Sequence, residues 1–211
     1  MMIAAMLVAV LGVACDSSEA GDAPAPNIVQ PGAPGEPARE LTEEDLEDFE
    51  SPAYTAADVR FMQGMIPHHT QALDMTGLVE DHTEREDIAL LAGRIEASQE
   101  GEIELMQDWL ETRGEEVPNS HPTHHASGEL APGMLTEDQF DRLAAATGKD
   151  FVRLFLKFMI RHHEGALIMV EQLRADGGAV EPESFTFSAH VEADQRIEIG
   201  RMQEMHTALR P

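Results

Sequence analysis

One cysteine, one tryptophan and one tyrosine stand in a chain of 211 residues, and each scarcity excludes something. With Cys15 alone, the chain forms no internal disulfide and offers no thiolate cage for structural zinc, so stability must come from a hydrophobic core. Aromatic residues are scarce, and nowhere do apolar and polar residues alternate convincingly, so a β-sheet architecture has no support. Basic residues are few, 14 Lys and Arg against 40 Asp and Glu, which argues against nucleic acid because phosphate binding needs a basic face. The acidic excess fits solubility and a diffuse attraction for cations but names no ligand. No phosphate loop, dinucleotide fingerprint or paired nucleophile and base occurs, so the expectation is a protein that is not an enzyme.

The apolar run over residues 1–14 is too short for a comfortable transmembrane helix. It ends in Leu11-Gly12-Val13-Ala14-Cys15, small residues before a cysteine as in a lipoprotein signal, although no Lys or Arg precedes it as in an ordinary signal. Residues 1–15 are therefore read as a lipoprotein signal with lipidation at Cys15. That places the protein outside the cytoplasm, anchored by lipid on the outer face of the cytoplasmic membrane or elsewhere in the cell envelope. Residues 16–50 are rich in Pro, Gly, Ala and acid, cannot repay the entropy of folding and read as a disordered tether, with a short helical turn expected over 41–49.

Residues 51–211 are helical in pattern almost throughout. The first helix is expected over 56–80 behind Thr55 as N-cap, with Phe61, Met65, His68, Ala72, Met75 and Val79 on one face. The second is expected to open with a capping box, Thr83 to Glu86, and to stop at Gly114, with Ile88, Leu91, Ile95, Ile103, Met106 and Leu110 in its core row. A connector, 115–148, ends in a short helix begun by a second box, Thr136 to Gln139. Two more helices follow, over 149–175 and 184–209. The first half, 55–114, then returns in the second, 149–210: Gln99-x-x-Glu102-Ile103-x-x-Met106-Gln107 matches Gln195-x-x-Glu198-Ile199-x-x-Met202-Gln203. Two hairpins, each with an apolar stripe, bury those stripes against each other, which predicts an all-α four-helix bundle.

Within that repeat one stretch carries chemistry. Phe61, Met65-Ile66, His68-His69, Ala72-Leu73 and Met75 come back 94 residues later as Phe155, Met159-Ile160, His162-His163, Ala166-Leu167 and Met169. Packing explains a repeated Leu or Ala, but it does not demand two adjacent histidines in both copies. Met65 lies one turn before His68 and His69, Met159 one turn before His162 and His163, and Met106 and Met202 sit on the partner helices. Thioether and imidazole without thiolate suit copper, as Cu(I) or Cu(II). The ferritin-type di-metal reading fails, because no histidine here has Glu or Asp three residues before it. A second cluster in the connector, His121, His124 and His125, is a weaker candidate for a divalent ion. Two other readings stay open: a non-covalent haem or redox bundle with His and Met axial ligands, and a metal-free interaction module with hydrogen-bonded core histidines. Pro67 interrupts the first helix's backbone bonding just before its histidine pair and is expected to kink it.

The twin Met-Ile-x-His-His motifs, Pro132-Gly133-Met134-Leu135-Thr136 and Phe151-x-x-x-Phe155-Leu156-x-x-Met159-Ile160 together resemble the bacterial family catalogued as domain of unknown function 305. The resemblance covers about residues 56–209. It implies a ferritin-like four-helix bundle, export or membrane tethering, and for some members extracytoplasmic copper binding. Carried over, it points to Met65, His68, His69, Met159, His162 and His163. The combined expectation is a lipoprotein that buffers copper, sequesters it or hands it to a transport partner.

Overall fold

The computed structural model describes residues 28–42, 51–118 and 130–209. Two compact units divide the chain between Glu50 and Ser51. In the first, Val29–Gln30 (β1) pairs antiparallel with Arg39–Glu40 (β2), Val29 opposite Glu40 and Gln30 opposite Arg39. This small ladder departs from the expectation of structureless chain over 16–50. Its physical cause is local: Pro- and Gly-rich residues between the strands supply the turn, with Gly35 at φ 95° and the Glu36 N–H donating to the Ala33 carbonyl. Both strands are exposed, so no core accompanies the ladder. The signal with Cys15, the rest of the tether including residues 43–49 of the turn expected over 41–49, and His121, His124 and His125 lie outside the described residues.

The second unit holds α1 (Ala56–Thr76), α2 (Val79–His82), α3 (Glu86–Thr112), α4 (Glu137–Ala144), α5 (Gly148–Ala175) and α6 (Pro182–Ala208). Helix α1 packs along α3, α5 along α6, and α1 against α5, so two hairpins make a four-helix bundle. Thr55 caps α1 as expected, in a reciprocal box with Asp58: the Thr55 N–H donates to Asp58 Oδ2 at 2.8 Å, and the Thr55 hydroxyl accepts from the Asp58 N–H. The helix continues through Pro67 but stops at Thr76, short of the expected end. Gly77 caps it and α2 starts two residues later at Val79, because glycine propagates a helix poorly and the Thr76 hydroxyl donates to the Leu73 carbonyl. The expected box at Thr83 does not form. That hydroxyl accepts from the Arg85 N–H instead, and α3 starts behind Arg85 with no side-chain cap. The box at Thr136 and Gln139 is present.

The core falls into two apolar clusters. One gathers Met62, Met65 and Ile66 of α1 with Met106 and Leu110 of α3, Met169 of α5 and Val191 of α6. The other gathers Met75 of α1, Ile88 and Ile95 of α3, Phe155 and Met159 of α5, and Met202 of α6. Each fully buried large side chain among them contributes about 1.5–3 kcal/mol. On α1 the boundary between the clusters falls at residues 68–71, and on α5 at 162–163, and the side chains buried there are polar.

Asp58 ties the two hairpins together. Its side chain is fully buried, and Oδ1 accepts the Ala179 N–H at 2.7 Å in the turn between α5 and α6. Burial by itself pushes this carboxyl up, but hydrogen bonds from Ala179, Thr55 and Ser184 outweigh it and hold the group below its ordinary value of 3.8. A depressed native pKa stabilises the fold above the unfolded value, and the gain is lost as pH falls through the native one. Asp58→Asn is expected to cost about 1–3 kcal/mol at neutral pH. In urea unfolding the gap from the wild type should narrow as pH drops below about 3.8.

Candidate metal centre

Adjacent helical residues point about 100° apart, so each histidine pair must serve two different neighbours. His68 and His162 face each other across the α1–α5 contact, ring centroids 3.9 Å apart and tilted by 36°. His69 turns to α3, where its Nε2 meets Glu102 Oε2 at 2.6 Å. His163 turns to α6 and meets Glu198 Oε2 at the same 2.6 Å. All four histidines are fully buried. The two halves thus make matching His–Glu contacts on either side of the facing His68 and His162 rings.

A strap from the connector breaks this symmetry. Residues 131–135 cross α5 at Gly165, where an added Cβ would stand 2.0 Å from the Pro132 carbonyl oxygen. Gly133 adopts φ 80°, which only glycine accepts readily. The strap is held by Gln71, which exchanges two hydrogen bonds with the Leu135 backbone (Nε2 to O, 3.0 Å; N to Oε1, 2.7 Å), and by Arg161, which donates to the Gly133 and Met134 carbonyls. In return the Pro132 carbonyl accepts from His68 Nε2 at 3.0 Å.

The layer contains unsatisfied polar atoms. Nδ1 of His69 and His163, both ring nitrogens of His162, both amide atoms of Gln99 and Oε1 of Gln195 are buried without a hydrogen-bond partner among the described residues. Such atoms are rare in folded cores and each costs about 1–3 kcal/mol. Burial, then the nearby His68, His163 and His69, and finally Arg161, push His162 well below its ordinary 6.5, so its ring is neutral at pH 7 and keeps a lone pair. On the α3–α6 side, partial burial and the carboxylates of Glu102 and Glu198 raise Asp194, which collects three acids near the layer.

The predicted methionines are all buried and divide in two threes. Met65, Met106 and Met169 join one cluster, and Met75, Met159 and Met202 the other, so thioethers lie on both sides of the imidazole layer. Among the described residues no three His, Cys, Asp or Glu side chains converge closely enough to hold an ion by themselves. Any ion held here draws on thioethers or amide oxygens as well. Sequence reasoning passed over Glu102, Glu198, Gln99 and Gln195 as site residues, although their Gln-x-x-Glu repeat was in plain view. His82, unassigned by pattern, bridges the carbonyls of Leu78 and Ala144 and joins α2 to α4. His190 is exposed on α6 and lines a groove of about 910 Å³ with Met62 and Trp109, while His206 is half-buried. No described helix is long and apolar enough to cross a membrane.

The family model for the domain of unknown function DUF305 matches residues 58–206. A DUF305 fragment from Deinococcus radiodurans is 28% identical over 74% of this chain and 99% of its own, with a TM-score of 0.65. CopM in its Cu(II)-bound form is 28% identical over 72% of this chain and 97% of its own (TM-score 0.60), and its Cu(I)-bound form is 26% identical over 73% and 98% (TM-score 0.59). No curated protein matches the chain.

Two glycines separate strap packing from helix propensity. Gly165→Ala places its methyl group in the strap and is expected to destabilise by about 1–3 kcal/mol. Gly101→Ala on α3, where a Cβ meets nothing within 4 Å, is expected to stabilise by about 0.5–1 kcal/mol. Chemical denaturation of both variants checks the opposite signs.

Proposed function

The chain belongs to the DUF305 family, and from that premise we propose that it binds copper within its bundle, at the layer of His68, His69, His162 and His163. Met65, Met106, Met169, Met75, Met159 and Met202 supply thioethers from the adjoining clusters. The observation that carries this reading is the set of buried ring nitrogens without a hydrogen-bond partner among the described residues, in a layer between two methionine-containing clusters. A bundle that needed only stability would fill those positions with Leu or Ile. Neutral imidazole and thioether together favour copper over magnesium, calcium or manganese, which take oxygen, and over structural zinc, which takes thiolate. The copper-bound states of CopM, a relative of the same fold, support the same choice. Haem is disfavoured, because rings stacked at 3.9 Å leave no slot between them for a porphyrin.

The signal pattern ending at Cys15 supports an exported, lipid-anchored protein, and a thiol-free donor set suits that setting because it resists oxidation to disulfide. Its role there is to buffer or sequester copper and to pass it to a transport partner, with the membrane reached through the anchor. The reading includes no catalytic step and no nucleic acid.

Replacing all four histidines by Leu should leave a folded bundle, but one less stable than the metal-free wild type, because it removes the unpaired ring atoms yet strips the donors from Glu102, Glu198 and the Pro132 carbonyl. The same variant should lose Cu(I) affinity by at least about a hundredfold in competition with a chelator. In the wild type, free Cu(I) at about a hundred times its Kd should raise Tm by roughly 5–10 °C. Unchanged affinity in the folded variant would return the histidines to a packing role.

A further inference from the structure

The hydrogen bonds of the layer decide which ring nitrogen a metal meets. A carbonyl oxygen and an ionised carboxylate can only accept, so a ring nitrogen facing one carries the hydrogen. Nε2 of His69 faces Glu102 Oε2 and Nε2 of His163 faces Glu198 Oε2, both at 2.6 Å, and Nε2 of His68 faces the Pro132 carbonyl at 3.0 Å. Three acceptors on three different elements, α3, α6 and the strap, thus engage the same ring position. In a neutral imidazole so fixed, the lone pair sits on Nδ1. For His69 and His163 that Nδ1 is buried and has no partner.

We propose that Glu102 and Glu198 are positioning residues that hold His69 and His163 as Nε2–H tautomers and present Nδ1 of each ring as the metal donor. The Pro132 carbonyl fixes the same Nε2–H tautomer in His68. His162 meets no acceptor at either nitrogen among the described residues, so none of them fixes its tautomer. The carboxylates are therefore not ligands themselves. They orient the rings, raise the basicity of the donor nitrogens and keep acidic charge behind the site, the usual arrangement around a metal-bound histidine. The pairing is absent from the Met-Ile-x-His-His motif itself, because it comes from the second helix of each hairpin. This assignment rests on the reading that the layer binds copper.

NMR of the ring nitrogens in the full chain tests it, with Ag(I) as a diamagnetic stand-in for Cu(I). In the metal-free protein His69 and His163 should be protonated at Nε2. On adding Ag(I), scalar coupling to silver should appear at Nδ1 of both rings while Nε2 keeps its hydrogen. Glu102→Leu and Glu198→Leu should release the tautomers and weaken Ag(I) and Cu(I) binding by about 10–100-fold each. Glu102→Gln, whose side-chain carbonyl still accepts, should recover the Nε2–H tautomer and much of the affinity. Rings protonated at Nδ1 in the metal-free protein, or silver coupled to Nε2, would overturn the assignment even if a variant failed to fold. If Ag(I) binds with those rings uncoupled, the assignment falls and metal binding survives. If Ag(I) does not bind, the copper reading falls and takes the assignment with it.

Discussion

Four imidazoles buried in one layer of an apolar bundle constrain everything around them. Each ring must be desolvated, and each nitrogen without a partner costs about 1–3 kcal/mol against a total stability of about 5–15 kcal/mol. The surroundings answer with placed acceptors. Glu102 on α3 and Glu198 on α6 each take one ring, and the Pro132 carbonyl takes a third. That carbonyl reaches His68 only because Gly165 and Gly133 let the strap lie directly on α5, and Gln71 and Arg161 hold it there. Much of the polar architecture of the second unit thus follows from keeping these rings in place. The nitrogens left over point to a binding site rather than to a core.

Duplication explains the layer's symmetry, and the connector explains its departure from symmetry. The paired glutamates, glutamines and methionines occupy matching positions in the two hairpins. The chain passes from one hairpin to the other only once, so only one face of the layer receives the strap. His68 gains a carbonyl there and His162 does not. The two ends differ in packing as well. A Cβ added at Gly64 of α1 would stand 3.4 Å from the Met169 side chain, whereas the matching position on α5 is the buried Phe158. The two thioether threes therefore sit in unequal surroundings.

The helical periods and the twin His-His pairs were legible in the sequence, because core packing and soft-donor chemistry both write themselves as repeats. Helix ends were less so: Gly77 split the first helix, and Thr83 capped nothing because α3 begins behind Arg85. Glu102 and Glu198 were visible as a repeat but not as site residues, since a glutamate on a helix usually faces water. The strap was visible only as Pro132-Gly133-Met134-Leu135-Thr136, a part of the family resemblance. Its packing on α5 was not legible, because a backbone carbonyl on a ring and two glycines with no room for a side chain leave no period.

An anomalous difference map at the copper edge, from crystals of the copper-loaded chain, would place the ion directly. The predicted result is a peak inside the bundle at the level of His69 and His163, with a methionine sulfur in reach. A peak confined to surface carboxylates or to the connector histidines, with the core layer empty, would contradict copper binding in the bundle.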